Sequence, residues 1–323
     1  MRRPYLLCPL LFSIALGSSG CTPAPDFWVE AKPSQNKILV SFPPLYCITH
    51  AVAGDDAYVL CLLTSQGPHD YDGGPTDPLK VADADLVISN GLGLDDAFVD
   101  KMLRAARTSP KTLNVGAVME KNILHEDKGH LHDDGKIHIH GQHDPHIWLG
   151  PEQAIAMTRI IAGKLADIDP AHKEGYAERE EKFIEELKKL EEHGKTAFKD
   201  KTHKNIVTMH ESFGYFVKPF GLTVVRPIQA KPGADPDSAS LAKLVELCKE
   251  QDVKVIAVEP QYSKAQAQTL QNTLKQRGVA VELVQLDPLE TAPIPSGKRF
   301  NPDPGYYLTK MRENIDTLAK ALP

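Results

Sequence analysis

Ile38-Leu-Val-Ser-Phe42, then a helical pattern near 45–53, then a second apolar run, Tyr58-Val-Leu-Cys-Leu-Leu63, decide the fold class. Each run is too short for a core helix and nearly continuous in apolar residues, the pattern of a strand buried on both faces. Strands separated by helices return in parallel. Working outward, Asp85-Leu-Val-Ile-Ser89 and Thr112-Leu-Asn-Val115 read as further strands, with helical candidates near 76–82 and 95–107. The alternation returns with strands at Asn205–Met209, Leu222–Val225, Val253–Val258 and Val279–Leu286, and helices near 238–251, 263–277 and 305–321.

Between these halves Pro151 opens a helix through about Ala166, and Pro170 opens a longer one through about Phe198. The second has a thin apolar stripe between two charged flanks, which suits a helix bridging two bodies. The expected class is α/β: two (β/α) lobes with mostly parallel sheets, facing each other across a cleft. A length of 323 residues agrees with two domains.

Composition removes several function classes. Hydrophobic residues at 41% and charged residues at 25% describe a globular chain. A net charge of -6 supplies no positive field for nucleic acid, so no nucleic-acid partner is expected. Asn90-Gly-Leu-Gly93 lacks the third glycine of a dinucleotide fingerprint, and His210-Glu211 is no zinc-protease helix because Gly214 stands where the second His would be.

Arg2-Arg3, an apolar run from Tyr5 to Leu16 and the small residues Gly17-Ser-Ser-Gly20 before Cys21 read as a signal peptide over 1–20. The expectation is export, to the periplasm or the outer face of the cytoplasmic membrane. Ser-Ser-Gly-Cys21 resembles a lipobox, so Cys21 is expected to carry a lipid anchor, with plain cleavage beside it as the alternative. The Pro-bearing stretch after it, 21–36, reads as a tether. Cys47 and Cys61 are either a disulfide or two buried thiols.

In parallel α/β sheets ligands gather at the carboxyl ends of strands. His69 lies beyond the second strand, His146 beyond a His-rich loop, His210 directly after Met209 and Asp287 directly after Leu286. Three imidazoles and a carboxylate, two from each half, match the donor set of one Zn²⁺. Glu259, at another strand end, is an outer partner, a spare ligand or a loop-fixing salt bridge. Six of the 13 His fall within His125–His143, a loop with little to pack a core, read as a weak zinc collector.

Pro43-Pro-Leu-Tyr46, Pro68-His-Asp-Tyr71, Ala82-Asp-Ala-Asp-Leu-Val-Ile-Ser-Asn-Gly91, Asp144-Pro-His-Ile-Trp-Leu149, His210-Glu-Ser-Phe-Gly-Tyr-Phe216 and Leu286-Asp-Pro-Leu289 together resemble the metal-binding substrate-binding proteins of bacterial ABC transporters, in particular the zinc-uptake branch. The resemblance runs from about 37 to 320. It implies two lobes joined by a long rigid helix, one metal between them, and metal-ligand positions at His69, His146, His210 and Asp287. The implied organisation is an N-terminal lobe over 37–168 including the His-rich loop 125–143, a linking helix over 169–200 and a C-terminal lobe over 201–323. The implied function is capture of Zn²⁺ and delivery to an ABC permease by a monomer that performs no catalysis. The alternatives are a manganese or iron cargo in the same transporter class, and a secreted zinc hydrolase. A surface-adhesion role is not legible in residues.

Overall fold

The computed structural model describes residues 25–119 and 143–323. The expected signal peptide, Cys21 and most of the His-rich loop lie outside them.

Two four-stranded parallel sheets form the frame. The first contains β1 (Asn36–Val40), β2 (Ala57–Cys61), β3 (Leu86–Ser89) and β4 (Lys111–Asn114) in the order β2-β1-β3-β4. The intervening helices are α1 (Pro43–Ala53), α2 (Asp77–Ala82), α3 (Asp96–Ala106) and a short α4 (Val115–Val118). Then follow α5 (Pro151–Ile168) and α6 (Lys173–Phe198). The second sheet contains β5 (Asn205–Thr208), β6 (Thr223–Pro227), β7 (Val255–Val258) and β8 (Glu282–Gln285) in the order β6-β5-β7-β8. Its helices are α7 (Gly214–Val217), α8 (Ser238–Glu250), α9 (Ala265–Gln276) and α10 (Tyr306–Ala321). The expected alternation is present in both halves, and α4 and α7, each a single turn, are the elements that hydropathy did not announce.

Both sheets reverse direction at the same place. In the first, β1 pairs with β2 on one side and β3 on the other; in the second, β5 pairs with β6 and β7. Such a switch point opens a crevice at the carboxyl ends of its strands. The central strands are buried on both faces because helices cover them: Leu86, Val87, Ile88 and Ser89 of β3 are all buried, as are the four residues of β7.

α1 begins where extended Phe42 meets Pro43 and Pro44, whose fixed φ suits a first helical turn. It ends at Gly54, with φ +55, in a left-handed position that costs glycine little. There Arg179 of α6 reaches over: Nε donates to Val52 O at 2.7 Å, Nη2 donates to Ala53 O at 3.1 Å and pairs with Asp56 at 2.5 Å. One side chain thus satisfies Val52 O and shares Ala53 O with the Asp56 amide at the end of α1.

With 26 residues, α6 is about 39 Å long. Its stripe Tyr176, Phe183, Leu187, Leu190, Gly194 and Phe198 is buried while its flanks face water. Gly194 has no Cβ because the Phe220 ring occupies that space. α6 packs against α5, α1 and α10, so the last helix joins the core built by the first. A separate apolar cluster, including Val207, Ile256, Leu244 and Leu270, lies under α8 and α9.

Two expectations are refined here. Within the stretch read as a tether, Trp28 is buried and its Nε1 donates to Lys80 O at 3.1 Å. Cys47 and Cys61 are free buried thiols, donating to Asp303 O at 3.6 Å and Leu63 O at 2.9 Å. Burial pushes the Cys47 thiol up to about 12. Among the described residues no helix is long and apolar enough to cross a membrane.

Candidate metal centre

Four side chains meet between the two sheets, His69, His210 and Glu290 from the segments after β2, β5 and β8 and His146 from the segment leading into α5, with ligand atoms all within 4.8 Å of one another. His69 follows β2 in a loop closed on Asp77, which accepts from Tyr71 Oη, from Gly74 N at 2.6 Å and from Lys80 Nζ at 3.3 Å. His146 precedes a turn of 3-10 helix at Ile147–Leu149. Its loop is tied to the end of β3 by Asn90 Nδ2, which donates to Pro145 O at 3.0 Å. His210 follows β5, where Thr208 Oγ1 donates to His210 O at 2.7 Å.

Glu290 sits in the turn after β8. Asp287, the carboxylate expected at this place, builds that turn and is not among the clustered groups. Its Oδ1 accepts from Leu289 N and its Oδ2 from Tyr306 Oη, each at 2.8 Å. Asn314 brackets its backbone, accepting from Asp287 N at 2.8 Å and donating to Asp287 O at 2.7 Å. Leu289 takes φ +62, and the chain turns so that the next side chain, Glu290, enters the cleft. An Asp directly before Pro is a turn former first, which is the signal that could have moved attention three residues on.

Five of the donor–donor distances fall between 3.2 and 3.8 Å. His146 Nε2 lies 3.2 Å from His69 Nε2 and 3.3 Å from His210 Nε2. Glu290 Oε1 lies 3.3 Å from His69 Nε2, 3.8 Å from His146 Nε2 and 3.2 Å from His210 Nε2. Tetrahedral donors with bonds of about 2.0–2.2 Å to one ion lie about 3.3–3.6 Å apart. The three rings are spaced evenly, with centroids 5.2 to 5.3 Å apart. Glu290 Oε1 is buried and makes no well-aligned hydrogen bond. A buried carboxylate oxygen ringed by three imidazole nitrogens asks for a cation.

Two rings are held from behind. Asp144 Oδ1 accepts from His146 N at 2.9 Å and lies 2.7 Å from its Nδ1. Glu259 Oε2 lies 2.7 Å from His210 Nδ1 in a close ion pair, and Oε1 accepts from His210 N at 3.2 Å. Carboxylates behind ligand rings orient the free nitrogen toward the ion. Glu259 is therefore the outer partner among the roles considered for it. Burial alone would lower His210; the Glu259 and Glu290 carboxylates outweigh it and raise the imidazole to about 10. Burial alone would raise Glu290; His210 and His69 outweigh it and hold the carboxyl well below the usual range.

Contacts between the halves surround the cluster. Trp148 Nε1 donates to Pro288 O at 2.7 Å, Tyr307 Oη to Trp148 O at 2.5 Å and Tyr215 Oη to Asp144 O at 3.1 Å.

A family model described as the zinc-uptake complex component A, periplasmic (ZnuA), matches residues 38–321. The chain belongs to the ZnuA family. It is 30% identical over 295 residues to the high-affinity zinc uptake system protein ZnuA of Bacillus subtilis, covering 91% of this chain and 89% of that one. It is 29% identical over 332 residues to the zinc-binding protein AdcA of Streptococcus pyogenes, covering 98% of this chain and spanning only 61% of the length of that relative. The crystal structure of AdcAII from Streptococcus pneumoniae superposes with a TM-score of 0.72 at 28% identity, covering 90% of this chain and 100% of that one. The two-lobe α/β fold expected from the sequence is that of this ZnuA family.

Proposed function

We propose that this member of the ZnuA family captures Zn²⁺ outside the cytoplasm and hands it to an ABC permease, with His69, His146, His210 and Glu290 as the ligands. The observation that carries the reading is the cluster of three imidazoles and one carboxylate, with the buried Glu290 Oε1 3.2 and 3.3 Å from two imidazole nitrogens. Imidazole-rich four-coordinate sites suit Zn²⁺, whereas Mn²⁺ prefers six oxygen-rich positions. Four protein ligands close the shell, where a hydrolase keeps one position for water, so binding without catalysis is the better account.

Access supports the same role. His69 is the most exposed ligand, its side chain 18% accessible, while His146, His210 and Glu290 side chains are at 4% or less. The ion enters and leaves on the His69 side, and swinging the loop after β2 opens the shell. In this reading 37–168 and 201–323 are the two lobes, 169–200 links them, and the chain acts as a monomer, exported by residues 1–20 and anchored at Cys21.

The test is a competition titration of metal-stripped protein. One tightly bound Zn²⁺ per chain, lost when His69, His146, His210 or Glu290 is replaced by Ala, is expected. Tight binding that survives all four replacements would overturn the site. In cells lacking the protein, growth under zinc chelation should fail and recover with zinc but not manganese.

A further inference from the structure

Gln261, half-buried in the turn after β7, donates from one amide nitrogen to two carboxylates. Its Nε2 lies 3.0 Å from Glu259 Oε2 and 3.4 Å from Glu290 Oε2. Glu259 Oε2 is the oxygen beside His210 Nδ1, at 2.7 Å. Glu290 Oε2 is the oxygen turned away from the imidazoles, since all three close approaches are made by Oε1. An amide NH2 has two N–H donors, and its carbonyl end would repel both carboxylates, so the network itself sets which end faces them. On another side, a Cβ added to Gly67 would stand 3.2 Å from Glu290 Oε2, so this oxygen also rests against the His69 loop.

We infer that Gln261 is a positioning residue that keeps Glu290 a one-oxygen donor and thereby sets the cargo preference toward four-coordinate ions. The inference rests on the reading that the cluster holds a divalent metal. A carboxylate can bind an ion through one oxygen or two. Bringing Oε2 of Glu290 inward breaks its bond to Gln261, and the ion then gains a fifth donor. Mn²⁺, which favours high coordination by oxygen, gains most from that second oxygen; Zn²⁺ in a tetrahedral shell gains least. Through Glu259 the same amide steadies His210, so one uncharged side chain constrains two of the four donors. Being neutral, it does so without adding a charge to the site.

Two variants separate this role from packing. Gln261→Met keeps length and volume and removes both donors. Gln261→Glu keeps the shape and turns the donor into an acceptor facing two carboxylates. In the full chain, stripped of metal, the readouts are Zn²⁺ and Mn²⁺ affinities by competition, and the visible spectrum of the Co²⁺-loaded protein, intense for four-coordinate and weak for five- or six-coordinate cobalt. Wild type should show the four-coordinate spectrum. In both variants the band should weaken and the zinc-over-manganese ratio should narrow about tenfold or more, the scale of outer-partner effects on metal affinity. Thermal unfolding of the metal-free chains reports whether the fold is kept. X-ray absorption on zinc-loaded wild type is independent of any variant: one oxygen donor from protein carboxylate is expected, and two would overturn the inference. Folded variants with an unchanged spectrum and ratio would also overturn it, leaving the metal reading intact. A wild type that binds neither Zn²⁺ nor Co²⁺ would overturn both.

Discussion

Asp144 Oδ1 lies 2.7 Å from the Nδ1 of His146, two residues along, and also accepts that residue's backbone N–H. The carboxylate therefore fixes both the ring and the chain that carries it, leaving Nε2 to face the cleft. Asp144→Asn should lower zinc affinity about ten- to hundredfold with little loss of fold, as outer-partner changes do. A competition titration checks it, and unchanged affinity would show that His146 needs no partner.

Asp287 and Glu290 make opposite predictions. Glu290→Gln removes the one carboxylate among the described residues whose oxygen faces the three imidazoles and should cost far more zinc affinity than Asp287→Asn. Asp287→Asn instead weakens the turn held by Leu289 N and Tyr306 Oη, and should appear mainly as lost stability of about 1–3 kcal/mol. Measuring affinity and thermal unfolding of both variants decides it; the reverse ranking would return Asp287 to the site.

The metal-free protein should have a distinctive pH profile. His210 is raised from 6.5 to about 10, so its stabilising contribution is complete below about pH 6.5 and is lost as pH rises through about 10. Glu290 is held below its ordinary 4.5, so its contribution is present above that value and lost only in stronger acid. Stability from this pair is therefore greatest between about pH 4.5 and 6.5. Unfolding midpoints of the metal-free chain should fall toward pH 10, and those of the zinc-loaded chain should not, because the ion replaces the proton on Nε2. Zinc binding at pH 7 should accordingly release protons, measurable by calorimetry in buffers of different ionisation enthalpy.

Trp148 joins the halves, fully buried, with its ring centroid 5.2 Å from that of His146 and its Nε1 on Pro288 O. Trp148→Phe keeps most of the packing but strips Pro288 O of its donor, at a cost of about 1–3 kcal/mol. Trp148→Ala should cost about 3–5 kcal/mol. Chemical denaturation measures both, and zinc affinity should fall with them because the Glu290 turn begins at Pro288. A Phe variant as stable and as tight as wild type would show that this hydrogen bond contributes nothing.

Deleting residues 125–141, most of the His-rich loop, should remove weak additional zinc binding and leave the tight site within about tenfold, or about 1.4 kcal/mol. Loss of the tight site would assign a ligand to the loop.

Much of this protein was written in local sequence. Continuous apolar runs of four to six residues between helical patterns specify parallel buried strands, and a His at or beyond a strand end is carried to the rim of its sheet whatever else the chain does. His69 and His210 were legible for that reason, and His146 from the Asp144-Pro-His-Ile-Trp148 stretch. The fourth member of the cluster was not. Hydropathy places Asp287 at the end of β8, but which of two nearby carboxylates faces the cleft depends on Tyr306 and Asn314 arriving from α10 and on the left-handed Leu289. Glu259 was visible as a strand-end carboxylate, but its place behind His210 was chosen among three roles only by the fold, and Gln261 was hidden altogether because it reaches Glu290 from a different strand end. Periodicity sets which residues lie near an edge; side-chain direction within about 3 Å is set by long-range contacts, and only the folded chain decides those.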